Sequence, residues 1–133
     1  NVQLYGFGGL SSFDYNNIAG GSNEKLIATS YFESNSPNPL AQHFVKAYKE
    51  KFGVEPDMFA AAVYEAVYIA KEAIAKVGDK KNIAEFRAAL RDQLAATKDL
   101  PGVQGPTTFD AKGQANKQVM IVQWQGGKKV ILR

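Results

Sequence analysis

The 133-residue sequence predicts an α/β protein, in which helices pack on a β-sheet. Two β-like segments occur before residue 35, and three amphipathic helical segments follow them between residues 39 and 95. A glycine pair, Gly126-Gly127, separates two extended stretches near the end, which predicts a C-terminal β-hairpin. Because so few strands precede the helices, we expect a missing segment or a partner to complete the sheet.

The first elements are a strand, a short helix and a second strand. Residues 2–6 alternate in polarity and run into a glycine-rich loop, which is typical of a strand followed by a tight turn. Ser11 or Ser12 is expected to cap a short helix that ends near Gly20-Gly21. Residues 26–32 are rich in β-formers and predict the second strand.

Three helices are predicted next. The first begins at Pro39 and ends at Gly53, and the third has Asn82 as its N-cap. The second begins after Pro56-Asp57, is capped by Gly78, and carries one broad apolar stripe, as expected of a helix that packs on a sheet. The stripe comprises Phe59, Val63, Ala66, Val67, Ala70, Ala73, Ile74 and Val77.

The remainder of the chain is predicted to be extended. Residues 100–106 break the helical pattern with two prolines and two glycines, and residues 110–113 resemble a turn, with a short extended piece between them. Residues 119–125 and 129–132 are the two strands of the predicted hairpin.

Composition argues against several classes of function. The net charge of +3 is spread along the chain, which disfavours nucleic-acid binding. The absence of cysteine excludes disulfides, thiolate metal sites and thiol nucleophiles. No cofactor is predicted: the glycine loop lacks the third glycine of a dinucleotide motif because Ser11 stands there, and no group of acids and histidine has metal-ligand spacing. His43, the single histidine, has no nucleophile or acid at a motif spacing, so we predict no enzyme.

The ends of the sequence bear on its origin. No apolar run approaches the about 20 residues that a membrane span requires. The chain starts at Asn1 and lacks an initiating Met, so we expect a processed or excised product from which a signal peptide has been removed.

Two blocks of sequence resemble the periplasmic leucine/isoleucine/valine-binding proteins of ABC transporters. The first is Phe44-Val45-Lys46-Ala47-Tyr48-Lys49-Glu50-Lys51-Phe52-Gly53-Val54-Glu55-Pro56 with Ala60 to Val67, and the second is Leu100 to Asp110 with Gly113. Asn17-Ile18-Ala19-Gly20, after the glycine-rich loop, is also similar to this family. The resemblance covers nearly the whole chain and depends on the combination of blocks and their spacing.

The resemblance implies part of a two-lobed type I periplasmic-binding fold, with a parallel sheet flanked by helices and a C-terminal β-hairpin. Whole members have two α/β lobes joined by three crossings, with the ligand in the cleft between them. The implied division makes 1–28 the end of the second lobe, 29–33 a hinge crossing and 34–106 the helical part of the first lobe. Residues 107–110 would form another crossing and 111–133 the returning strands of the second lobe.

The resemblance also implies a function: an extracytoplasmic solute-binding protein, here a fragment, that delivers a branched-chain amino acid or related carboxylate to an ABC permease in the membrane. The implied partners are the ligand, the permease, and the missing N-terminal part or a second copy. The alternative is a ligand-sensing domain of a receptor or regulator with the same fold, in which hinge closure signals to an attached module.

The glycine-rich loop is the candidate ligand site, because the resemblance places it where relatives line the cleft, at the carboxyl end of a strand, the usual place for ligands in α/β sheets. The alternative is a tight strand-to-helix turn that contacts no ligand. Its candidate residues are Tyr5, Phe7, Gly8, Gly9 and Leu10. Amino-acid-binding relatives have an acidic residue in this loop that pairs with the ligand ammonium, and here Gly8 stands at that position. We expect either a ligand other than a simple α-amino acid, such as an aromatic or other carboxylate, or an ammonium partner in the missing part.

Overall fold

The computed structural model of the chain describes residues 2–132. It contains four α-helices, α1 (Phe13–Ala19), α2 (Pro39–Phe52), α3 (Met58–Val77) and α4 (Ile83–Ala95). The strands are β1 (Tyr5–Gly6), β2 (Ile27–Ser30), β3 (Thr108–Phe109), β4 (Ala115–Asn116), β5 (Met120–Gln125) and β6 (Lys128–Ile131). The α/β class and the C-terminal hairpin are therefore confirmed.

Four strands form one sheet in the order β1-β2-β5-β6. β1 and β2 are parallel, whereas β5 runs antiparallel to both β2 and β6. The chain thus leaves the sheet after β2, builds the helices, and returns to the same sheet through β5. A separate two-stranded hairpin, β3–β4, precedes this return, and the sequence pattern had predicted its first strand and its turn but not β4.

The helix boundaries follow the local capping signals. Ser12, rather than Ser11, caps α1, since its hydroxyl accepts a hydrogen bond from the Tyr15 backbone at 3.1 Å. Asn38 caps α2, which ends at Gly53 in the left-handed conformation (φ 73°) that glycine adopts without strain. Asn82 caps α4 as predicted.

Two buried groups hold the fold together. One lies among the helices and includes Phe32, two residues after the end of β2. Its members are Phe32, Ala41, Phe44, Val45, Ala61 and Val103. The other lies under the sheet, where Leu26, Ala28, Val122 and Trp124 are almost fully buried. Burying each large side chain of this kind contributes about 1.5–3 kcal/mol.

The apolar stripe of α3 does not lie against a sheet within residues 2–132. Phe59, Val63, Val67 and Ile74 are 53%, 67%, 62% and 46% exposed, respectively. The buried residues of this helix are Ala61 and Glu65, which lie outside the predicted stripe, and Ala73, a small member of it. Ala61 packs in the helical core with residues of α2, and Glu65 meets the loop before β3. The prediction that this stripe is packed is therefore wrong for the described residues, and a large apolar surface stays open.

Candidate functional site

The glycine-rich loop lies at the carboxyl end of β1 and connects it to α1. Gly8–Ser11 form one turn of 3₁₀ helix, and Ser12 then begins α1. β1 pairs with β2 in parallel, so the loop emerges at the edge where α/β sheets usually bind ligands. The local sequence explains this shape, because glycine tolerates the close turn and serine caps the helix that follows.

Two partly buried hydrogen bonds hold the second half of the loop. The indole nitrogen of Trp124, on β5, donates to the Leu10 carbonyl at 3.0 Å, and Trp124 is fully buried. The Ser11 hydroxyl donates to the Gly8 carbonyl at 2.7 Å. The Leu10 side chain packs over Gly6, where an added Cβ would collide with it. The loop is thus held from the sheet side while its outer face stays open.

The five candidate residues are contiguous but differ in exposure. Tyr5 and Phe7 are 73% and 84% exposed, and Gly9 is open to solvent, whereas Gly8 and Leu10 are half-buried. The two aromatic side chains therefore offer apolar surface at the mouth of the loop. Their assignment to a ligand stays a prediction.

Gly8 lies against the start of α3. A Cβ built on Gly8 would be 2.8 Å from the terminal methyl of Met58, and the Ser11 hydroxyl lies 3.7 Å from the Met58 sulfur. A carboxylate at position 8 would need this space. Sequence reasoning did not identify Met58, because no local pattern relates residues 50 positions apart.

The acidic residues near the loop face a different cleft. Asp14 lies on α1 and, with Glu55 and Asp57, lines a cleft of about 520 Å³. Glu55 is engaged by the Lys49 ammonium at 2.9 Å and by the Ser34 hydroxyl, and these hydrogen bonds lower the pKa of Glu55. Asp57 caps α3 by accepting two backbone hydrogen bonds. No group of metal-ligating side chains occurs between residues 2 and 132.

A second cleft, of about 510 Å³, lies between the predicted crossing at 29–33, the loop before β3 and the strands β5 and β6. Its lining is mostly apolar, and it includes Tyr31, Phe32, Pro37, Val103, Met120 and Ile131. Glu33, also on this wall, is paired with Lys129.

Two buried ion pairs, which the sequence did not reveal, lie beside the predicted crossings. The Lys129 ammonium lies 2.9 Å from both carboxylate oxygens of Glu33, and both side chains are at most 6% exposed. Glu65, on α3, accepts hydrogen bonds from the Lys117 ammonium, the Thr107 hydroxyl and the Gln104 backbone.

Two further predictions concern the single histidine and membrane-spanning segments. His43 lies on the exposed surface of α2. No helix within residues 2–132 has the length and apolar character needed to cross a membrane.

Comparison with known proteins gives one consistent result. A family model described as "Periplasmic binding protein" matches residues 1–129. Among solved structures, the chain is similar to the leucine-binding protein LivK of Thermotoga maritima, with 26% identity and a TM-score of 0.86 over 98% of this chain and 36% of that one. It is also similar to LivJ of Streptococcus pneumoniae in complex with isoleucine, with 26% identity and a TM-score of 0.81 over 99% and 37% of the two chains.

A solute-binding protein of an R. palustris ABC transporter, in complex with benzoate, shares the fold at 23% identity and a TM-score of 0.81. That match covers 98% of this chain and 35% of the R. palustris chain. The chain therefore spans little more than a third of the length of each of these structures.

Proposed function

The chain belongs to the periplasmic binding protein family, and from this membership we propose that it is part of an extracytoplasmic solute-binding protein that captures a small molecule for an ABC importer. The observation that carries the proposal is the match of 98% of the chain to a leucine-binding protein, with a TM-score of 0.86. The proposed partners are the small molecule and a membrane permease. The protein is proposed to bind and release its solute without chemistry.

The glycine-rich loop is the proposed contact with the solute. It lies at the carboxyl end of β1, its carbonyls are fixed by Trp124 and Ser11, and Tyr5 and Phe7 expose aromatic surface beside it. Gly8 and Gly9 would contact the solute through their backbone, and Leu10 would add a small apolar surface. A rigid loop with an open face favours binding because little order has to be created when the solute arrives.

The proposed solute is a carboxylate with an apolar or aromatic body. Gly8 carries no charge, and Met58 lies where a side chain at this position would extend. Placing an ammonium group there without a counter-charge would be costly. The benzoate complex of the R. palustris protein is an example of the same fold with a solute that lacks an ammonium group.

Calorimetry on the whole protein, with leucine and benzoate as probes, tests both the solute-binding role and the proposed class of solute. Tight binding of benzoate and weak binding of leucine would support the carboxylate proposal. Tight leucine binding would overturn it and would place the ammonium partner in the remaining part of the protein. A screen of amino acids and carboxylates in which nothing binds would contradict a solute-binding role altogether.

The open face of α3 is proposed to be covered by the rest of the protein. Phe59, Val63 and Val67 are all more than half exposed, and a contiguous apolar face of this kind usually marks an interface. The chain spans about a third of the relatives' length, so much of the fold is available to cover this face. Loss of each covered side chain would remove about 1.5–3 kcal/mol.

Val63→Lys and Val67→Lys test this cover, with the exposed loop variant Val54→Lys as the matched control. In the whole protein we expect the two helix variants to lower the urea midpoint clearly, with little effect from the control. In the 133-residue chain alone all three should be nearly neutral. Equal effects in the two contexts would contradict the proposal, and dimerisation of the isolated chain that Val67→Lys abolishes would point to a second copy as the cover.

We also propose that the chain is divided between two lobes at the crossings. The contacts favour bending at two short points between the sheet and the helices. One is Tyr31, between Ser30 in β2 and Phe32 in the helical core. The other is at residues 118–119, between Lys117, which is paired with Glu65, and the start of β5. This point lies downstream of the crossing at 107–110 that the resemblance implied.

A further inference from the structure

A continuous row of buried side chains connects the glycine-rich loop to the predicted crossing at 29–33. The Trp124 indole holds the Leu10 carbonyl at 3.0 Å. The Lys129 ammonium lies 5.9 Å from the centre of the Trp124 ring and 4.9 Å from that of Phe13, and it is paired with Glu33 at 2.9 Å. Three contacts therefore separate the crossing from the loop.

The position of Lys129 follows from strand geometry. Lys129 is opposite Trp124 in the β5–β6 ladder, so both side chains point to the same face of the sheet. Lys128, its neighbour, points the other way and is exposed, whereas the side chain of Lys129 is only 6% exposed. The aromatic rings and the carboxylate together replace the water that the ammonium loses.

Stability alone is a weak reason for this arrangement. Two charges taken out of water lose solvation that their attraction only partly repays, and an apolar pair of similar size often serves a protein as well. What an ion pair adds is a fixed geometry between the groups that it joins. Here those groups are a crossing and, through Trp124, the candidate ligand loop.

We propose that Lys129 is a positioning residue that transmits movement of the crossing at 29–33 to the glycine-rich loop. Glu33 is adjacent to Phe32, which is packed in the helical core, so a movement of the helices against the sheet displaces the Glu33 carboxylate. The Lys129 ammonium moves with the Glu33 carboxylate, and its contact with the Trp124 ring changes. The Trp124 indole N–H, which donates to the Leu10 carbonyl, then shifts that carbonyl. This inference rests on the proposed function for its biological meaning, but the coupling itself requires no ligand.

The test uses Lys129→Met, which keeps an unbranched side chain, one atom shorter, and removes its charge. Trp124 is the single tryptophan, so its indole N–H gives one resonance that reports on the bond to Leu10. The matched control is Lys46→Met, which removes the charge of a lysine in an exposed ion pair with Glu50 on α2. We expect the indole resonance to shift and the Leu10 amide to exchange with solvent at least about ten-fold faster in Lys129→Met, relative to the amides of β2 and β5, and neither change in the control.

A merely structural role would give a different result. It would lower stability and speed exchange across the whole sheet to a similar degree, with no additional increase at the Leu10 amide. That result, or an unchanged loop in a folded Lys129→Met variant, would overturn the proposal.

Two further measurements test the proposal if Lys129→Met does not fold. Glu33→Gln keeps an acceptor for Lys129 and should produce a smaller shift of the same indole resonance in the same direction; no shift would overturn the proposal. In the wild-type chain, the Leu10 amide, bonded to Phe7, and the Ser36 amide, bonded to Glu33, should exchange in one step of similar rate. Rates that differ more than about ten-fold would overturn it.

Failure of leucine and benzoate to bind would count against the proposed function and leave the coupling intact.

Discussion

Removal of the buried Glu65 carboxylate, on α3, should strongly destabilise the chain. Glu65 is 4% exposed and accepts hydrogen bonds from Thr107, Lys117 and the Gln104 backbone. These donors lie before and after the β3–β4 hairpin, so one side chain of α3 closes the base of that hairpin. We therefore expect Glu65→Ala to loosen the hairpin and the loop that precedes it.

The magnitude follows from what the substitution leaves behind. The Lys117 side chain is 11% exposed, and a buried charge that loses its partner costs about 3–5 kcal/mol. Glu65→Gln keeps the volume and one acceptor, so it should cost less, about 1.5–3 kcal/mol. Because a domain of this size has a total stability of about 5–15 kcal/mol, Glu65→Ala should leave only a marginally stable chain.

Urea unfolding followed by Trp124 fluorescence measures these free energies. Glu65→Leu combined with Lys117→Met removes both charges and should recover most of the loss, because no unpaired charge remains. Lys49→Met, in the more exposed pair, should cost at most about 1 kcal/mol. A Glu65→Ala variant within about 1 kcal/mol of wild type, or a double variant that is no more stable than Glu65→Ala, would refute this reasoning.

Two other predictions concern local structure. The hydrogen bond from Tyr64 to Tyr68, together with burial, raises the pKa of Tyr64 to about 12. Ultraviolet titration of Tyr68→Phe should therefore show the pKa of Tyr64 returning toward 10. An unchanged pKa of Tyr64 would exclude Tyr68 as the cause. Because that pKa is raised on folding, the associated stability is present below about pH 10 and is lost as the pH rises toward 12, which urea titrations across this range would detect. Asp57→Ala should cost about 1 kcal/mol through loss of the α3 cap, with Asp57→Asn nearly neutral; equal losses in the two variants would show that the charge, not the cap, matters.

The boundaries of the helices were predictable because they depend on neighbours in sequence. A cap is a contact between residues two or three positions apart, as between Asn38 and Leu40 or Asp57 and Ala60. The turn at Gly126-Gly127 is equally local, since both glycines adopt positive φ angles of 57° and 73°. Such signals can be read from a few residues, and they located α2, α4 and the hairpin.

The burial of the α3 stripe was not predictable from its pattern alone. Apolar spacing shows that a helix has one apolar face, but it does not show what covers that face. In the structure Val63 and Val67 are open, and the buried side of α3 carries Glu65, a charged residue that a pattern would place outside. The carboxylate is buried because Lys117, Thr107 and a backbone donor meet it, and these come from a loop about 40 to 50 residues further along the chain.

The sequence by itself determined the class of fold, the helix ends, the hairpin and the family, because each depends on local spacing or on blocks of consecutive residues. The tertiary structure alone decided which groups meet. It brought Met58 against Gly8, Trp124 under Leu10, and Lys129 onto Glu33, which is 96 positions away. The physical reason is that β5 and β6 return to the sheet that β2 leaves, and only this non-local pairing joins the end of the chain to the crossing and the loop.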